Sequence, residues 1–350
     1  MSKEKQKLYN PAIDILRTIS IFAVILIHTT TRTLEVTKYN LLKTPWTLFL
    51  NQAARFAVPL FFMISGFVLE LNYHLHENYL TYLKKRFSRI FVPYVFWSII
   101  YYFFINYKER DPSFLNALMQ GDASYQLYFL PALLIFYLLF PLIHNFCVFI
   151  LNKWLLILFG MIQFLILYYN YNIHPIQLYY PIGIAVLNFY VFILGVALAR
   201  NQEKFKNFIE QWKLLLVFGA IGLMIFIFYE GLNGYLKTQS YLAFYSSWRP
   251  SVLLYTIFLS GALYWIFSRN YKSFFLIKLF SKLSFFVFFI HIIILELFWH
   301  LIGMNLFTIT SGKVAQTLWY DPFYFLIVAS VSFGIAFIIH KLPYLSKLTG

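Results

Sequence analysis

The sequence predicts an all-α, polytopic membrane protein of about ten transmembrane helices in one domain, residues 1–350, with both termini in the cytoplasm. Three observations predict this class. The chain is 61% hydrophobic and only 12% charged, where a soluble protein averages about 25% charged. Its apolar residues fall in runs of about 20, the length at which a helix crosses a hydrocarbon core. Its basic residues alternate between connections. With the N-terminus inside, 18 of the 28 Lys and Arg fall in cytoplasmic segments and eight in outer ones, while Arg17 and Arg55 lie within spans, as the positive-inside rule expects. The net charge of +15 therefore reads as topology and contact with an anionic inner leaflet, and no nucleic-acid partner is expected.

The spans are expected at 12–30, 49–71, 87–106, 127–146, 154–171, 183–200, 213–230, 251–268, 283–302 and 322–341. The first is too long, and too charged in its body, for a cleavable signal peptide. It carries Asp14, Arg17 and His28. Ionisable groups inside a membrane helix are costly, so they face a protein interior or a water-filled cavity and mark a working site. Eleven residues at about 100° each place Arg17 and His28 only about 20° apart around the axis and roughly 16 Å apart along it. Histidine is the natural proton acceptor at neutral pH. A buried arginine suits a phosphate or carboxylate.

The second span opens on a polar stripe of Asn51, Gln52 and Arg55 and ends on Glu70. An outward-facing acceptor pocket would use such groups, and interfacial capping explains them equally well. Lys84-Lys85-Arg86-Phe-Ser-Arg89 precedes the third span. It is either an ordinary positive-inside anchor or a phosphate-binding entrance. Arg86 and Arg89, three apart, would share one helix face and could grip an anionic cofactor. The abundant aromatics, 42 Phe, 28 Tyr and 8 Trp, read mostly as lipid-facing Phe with Tyr and Trp near the interfaces, as at Tyr168-Tyr169 and Tyr179-Tyr180. Trp248-Arg249-Pro250 opens the eighth from outside. His291, mid-way along the ninth, is a packing hydrogen bond or a working group. Glu296 lies about 140° from it around the helix, so the two make no simple dyad. His74, His76, His300 and His340 read as interfacial. Cys147 is the lone cysteine and excludes an internal disulfide. The sequence has no Walker loop, dinucleotide-binding glycine fingerprint, zinc motif or serine-hydrolase elbow, and no metal is expected.

Five strings, taken in order, resemble the acyltransferase-3 superfamily of integral-membrane O-acyltransferases. They are Asp14-Ile-Leu-Arg17 with His28 eleven residues on; Val58-Pro-Leu-Phe-Phe-Met-Ile-Ser65-Gly66-Phe; Arg86-Phe-Ser-Arg89 with Val92-Pro93-Tyr94; Tyr125-Gln-Leu-Tyr-Phe-Leu130-Pro131; and Ser284-Phe-Phe-Val-Phe-Phe-Ile-His291. The resemblance covers nearly the whole chain and implies a multi-pass protein of a bacterial plasma membrane. It implies an acyl donor, commonly acetyl-CoA, bound from the cytoplasmic side, and an acceptor hydroxyl on a cell-surface glycan or lipid-linked sugar. It makes His28 the catalytic histidine, with Arg17 supporting the donor or the site. Arg86 and Arg89 would contact the CoA phosphates. Asp14, Arg55, His291 and Glu296 stand as further candidates. The chain shows none of the fused extracytoplasmic hydrolase domain of the larger members, so a second transfer step would need a separate transferase. Two alternatives from other classes are an exporter or flippase of a polysaccharide or its lipid-linked precursor, and an inactive scaffold for a glycan-synthesis complex. Against the transporter, no inverted repeat is visible.

Overall fold

The structure, a computed structural model, describes residues 11–42, 44–73, 78–105, 113–150, 152–268, 275–303 and 315–342. Lys3, Lys5, Lys7, Lys43, Lys108, Arg110, Arg269, Lys272, Lys313 and Lys347, with His74 and His76, lie outside the described residues. Among the described residues all regular structure is helical, and nine helices are long and apolar enough to cross a membrane, or ten with one bent pair taken as a span. The protein is an all-α polytopic membrane protein.

Helix α1 (Pro11–Val36) runs past the expected end of the first span. In its threonine-rich last turns the hydroxyls of Thr29, Thr30 and Thr33 are satisfied by carbonyls of the preceding turn. The second span is broken into α2 (Pro45–Ala53) and α3 (Ala57–Leu71). Arg55 sits in the break, and the Ala53 carbonyl accepts the Tyr255 hydroxyl at 3.0 Å. A break at membrane depth is tolerated when neighbours satisfy the backbone in this way.

The third span is α4 (Tyr79–Ile100), capped by Asn78, whose side chain accepts from the Leu80 amide. It starts well before residue 87, so Arg86 and Arg89 lie on the helix itself and not on an approach to it. A π-helical turn, Tyr101–Ile105, ends it. Then come the short α5 (Phe114–Gln120), α6 (Phe129–Ile150) and α7 (Lys153–Asn172). Where the sixth span is expected stand α8 (Tyr180–Leu187) and α9 (Phe189–Arg200), a pair bent by 50° at Asn188, whose side chain bonds the Ile184 carbonyl. Helix α10 (Gln202–Thr238) is 37 residues long and kinked at Trp212. The one-turn α11 (Leu242–Tyr245), α12 (Pro250–Ser268), α13 (Phe275–Phe298) with a second π-helical turn, and α14 (Ala315–Lys341) complete the chain.

Helix α1 is central, packed by α2, α3, α12, α13 and α14. The tightest crossing joins α3 to α9. A Cβ at Gly66 would collide with the Phe192 carbonyl, and one at Gly195 with that of Met63. Small residues that admit close backbone approach are what helix association in lipid requires. Helices α7 and α10 lie at the periphery, with Trp154, Met161, Leu165, Leu214 and Phe218 exposed on them.

Candidate active site

A cavity of about 1220 Å³ opens among α1, the α2–α3 break, the end of α4, the connections before α6 and α12, and α13. Helix α1 contributes Val24, Ile27, His28, Thr31, Arg32 and Glu35, a stripe at spacings of three and four. The His28 ring centre lies 5.0 Å from that of Tyr125 and 5.3 Å from that of His291. Among the described residues nothing hydrogen-bonds the His28 ring, which lines the cavity. His291 is fully buried, and its Nδ1 lies 3.0 Å from the Val287 carbonyl oxygen.

Charges collect further out on the same α1 face. The Arg32 guanidinium meets Glu296 of α13 at 3.1 Å and Glu35 at 3.4 Å, and lies over the Trp299 ring. His300 stands 3.8 Å from Glu296. Glu296 is therefore the arginine's partner, and His291 belongs to a different set of contacts.

The polar stripe of the second span is neither interfacial nor a cap. Asn51 is fully buried and donates to the Ile27 carbonyl, next to His28, at 3.1 Å and to Thr30 Oγ1 at 2.9 Å. Arg55 donates to Asn51 Oδ1 and to the Tyr245 carbonyl, and its guanidinium also faces the cavity. Arg249 is likewise fully buried. It pairs with Glu230 of α10 at 3.0 Å and bonds Gln52 of α2. Its partners come from helices remote in sequence. These bonds clamp α1, α2, α10 and the α11–α12 connection around one wall of the cavity.

Toward the other end of α1 stands a second group. Asp14 Oδ1 accepts from Ser281 of α13 at 2.6 Å. Arg17 feels Asp14 and the Tyr137 hydroxyl of α6 electrostatically, and it makes no hydrogen bond among the described residues. Tyr137 is within electrostatic reach of Arg86, Arg17 and Arg89. Arg86 is half-buried, bonds the Asn72 carbonyl at 3.1 Å and lies over Tyr82. Arg89 is exposed.

The structure thus sorts the sequence candidates into two places. His28, Arg55 and Glu296 line the cavity with His291 beside His28, while Arg17, Asp14, Arg86 and Arg89 lie apart from it. The sequence reading missed Arg32 and Glu35 as site residues. Four and seven residues past His28, they share its face, a signal lost by ending the span at residue 30. It also missed Tyr125 as a contact of His28, and the ion-pair cluster in which Glu70 accepts from Arg200 at 2.7 Å and meets His144 at 2.9 Å. Among the described residues no group of His, Cys, Asp or Glu is arranged to hold a metal.

A family model described as an acyltransferase domain matches residues 10–341. Two relatives from Staphylococcus aureus, strains MRSA252 and MSSA476, are each 26% identical over 302 residues, 82% of this chain and 80% of theirs. Both are named as a probable poly-beta-1,6-N-acetyl-D-glucosamine export protein. No solved structure matches the chain.

Proposed function

The chain belongs to the acyltransferase-3 family, and from that premise we propose that it is a membrane O-acyltransferase, foremost an O-acetyltransferase. It moves the acetyl group of acetyl-CoA, bound from the cytoplasm, to a hydroxyl of a cell-surface glycan or its lipid-linked precursor. The setting is a bacterial plasma membrane. The observation that carries this reading is the placement of His28, an unengaged imidazole on the wall of a cavity large enough for several sugar rings, about 16 Å along α1 from Arg17.

CoA carries phosphates at one end of a long arm and the thioester at the other. Arg86 and Arg89, with Arg17 deeper, supply positive charge for the phosphates, and the arm reaches along α1 toward His28. The acceptor oxygen attacks the thioester carbonyl while His28 takes its proton. A carbon–oxygen bond forms, the carbon–sulfur bond breaks, and the proton passes to the leaving thiolate. Purified protein given radiolabelled acetyl-CoA and candidate glycans should release CoA and label the glycan. Saturable binding without any turnover on β-1,6-linked N-acetylglucosamine oligomers would argue against that acceptor class.

The second reading is export of a polysaccharide, favoured by the names of the relatives. Export predicts glycan movement across proteoliposomes without acetyl-CoA and without His28. Acetyl transfer predicts dependence on both.

A further inference from the structure

Beyond the base itself, one group beside it has no place in the reaction described so far. His291 of α13 is fully buried, its Nδ1 lies 3.0 Å from the Val287 carbonyl oxygen, and its Nε2 has no hydrogen-bond partner among the described residues. A carbonyl only accepts, so Nδ1 must carry the hydrogen. In the neutral ring Nε2 is then a bare lone pair. A buried polar atom left unpaired costs about 1–3 kcal/mol, so a site that keeps one has a use for it or a partner that arrives during the reaction.

That partner is at hand. The ring centres of His28 and His291 are 5.3 Å apart at 40°. Nitrogens turned toward each other across that gap would stand roughly 3 Å apart, within hydrogen-bond reach. His28 is itself unbonded among the described residues, whereas His291 is held by Val287 and by its burial. Tyr125 also flanks His28, its ring centre 5.0 Å away.

We propose that His291 is the positioning residue of this site: its Nε2 accepts the far N–H of His28, leaving the other His28 nitrogen bare for the acceptor hydroxyl. The inference rests on the acetyl-transfer reading above. Before transfer the contact selects one tautomer of His28. As His28 takes the hydroxyl proton it becomes an imidazolium with two N–H groups, and the second is still received by His291. A base oriented by a third group is the general pattern of activated nucleophile sites. Here a fixed neutral imidazole fills that place where a carboxylate commonly does. A carboxylate would add a charge to a span, where charge is costly. The proton never moves onto His291. It goes from the hydroxyl to His28 and then to the departing CoA thiolate.

The test compares His291→Leu, which removes the lone pair, with His291→Gln, which returns an acceptor oxygen. Acetyl-CoA affinity and KM should stay within about twofold of wild type in both, as His291 touches neither substrate. The Leu variant should lose tenfold or more in kcat, and Gln should recover a substantial part. Nitrogen NMR of histidine-labelled protein reads the same contact without turnover. His28 should show one dominant tautomer in wild type and a mixture in the Leu variant. A folded Leu variant with wild-type kcat overturns the proposal. So does equal loss in Leu and Gln with parallel weakening of acetyl-CoA binding, which is the mark of mere packing. If wild type transfers no acetyl group yet shows the coupled tautomer, the acetyl-transfer reading fails while the contact stands.

Discussion

The two ends of α1 are built differently. Around the cavity, arginines are held by hydrogen bonds: Arg55 by Asn51 and Tyr245, Arg249 by Glu230 and Gln52, Arg32 by two glutamates. Near the start of α1, Arg17 and Arg89 make no hydrogen bond among the described residues, and Arg86 bonds a single backbone carbonyl. A tethered guanidinium shapes a wall. One with few bonds keeps most of its donors uncommitted. The contrast teaches that neighbouring arginines in one membrane protein need separate readings, decided by who already occupies their donors.

The comparison breaks outright if the untethered end faces outward. Lys84 is exposed on α4 just ahead of Arg86, and Cys147 is 1% exposed, so Lys84→Cys offers a single reactive thiol. A membrane-impermeant maleimide should label it in inside-out vesicles and spare it in intact cells. Labelling in intact cells would invert the orientation and with it the donor side.

The next largest effect is expected at His28. His28→Ala should lower acetyl transfer by roughly 10²–10⁴-fold, the range for a positioned base, while donor binding persists because the arginine end is untouched. A folded variant acetylating at a near-normal rate would refute the assignment.

The helix count and class were legible in the sequence because hydrocarbon thickness dictates the length of apolar runs. The break at residues 54–56 and the bend at Asn188 were not legible. Each has a polar residue at it, Arg55 and Asn188, but no proline or glycine to mark a break, and the groups that satisfy the backbone are Tyr255 from a remote helix for the first and the Asn188 side chain itself for the second. That His28 would line a cavity was legible, because an ionisable group in a span faces a protein interior or a water-filled cavity. The partners of Arg249 were not legible. An arginine beside a proline at a span edge looks like a topology signal until Glu230 and Gln52 arrive from remote helices. Arg32 was legible in principle from its register with His28, and was lost to a helix boundary set by composition.

A smaller effect sharpens the reading of the untethered end. Arg86→Ala should weaken acetyl-CoA binding by about 1.5–3 kcal/mol, the range for a charge-assisted bond to phosphate. Arg89→Ala should cost less than about 1 kcal/mol, since an exposed charge is screened by water and salt. Isothermal binding at two ionic strengths checks both, with wild-type affinity falling as salt rises. If the double variant binds as wild type does, these arginines serve topology alone.

The smallest effect concerns a tether beyond the cavity. Asp321 of α14 is fully buried, and its two oxygens accept from Thr33 of α1 at 2.8 Å and Thr47 of α2 at 2.6 Å. It therefore fixes the far end of α1 against the helix that carries Asn51, which in turn bonds the backbone beside His28. Asp321→Ala removes both acceptors and should destabilise by about 1–3 kcal/mol. Asp321→Asn keeps the shape and one acceptor oxygen. Hydrogen bonds between membrane helices average only about 0.6 kcal/mol, because partners are also found before assembly, so the Asn variant should lose about that much. Scanning fluorimetry in detergent should show the Ala variant melting clearly lower and the Asn variant slightly lower. Transfer rates at a temperature where both stay folded should remain within about twofold of wild type. An Asn variant that melts normally yet transfers tenfold more slowly would move Asp321 from the frame of the cavity into its chemistry.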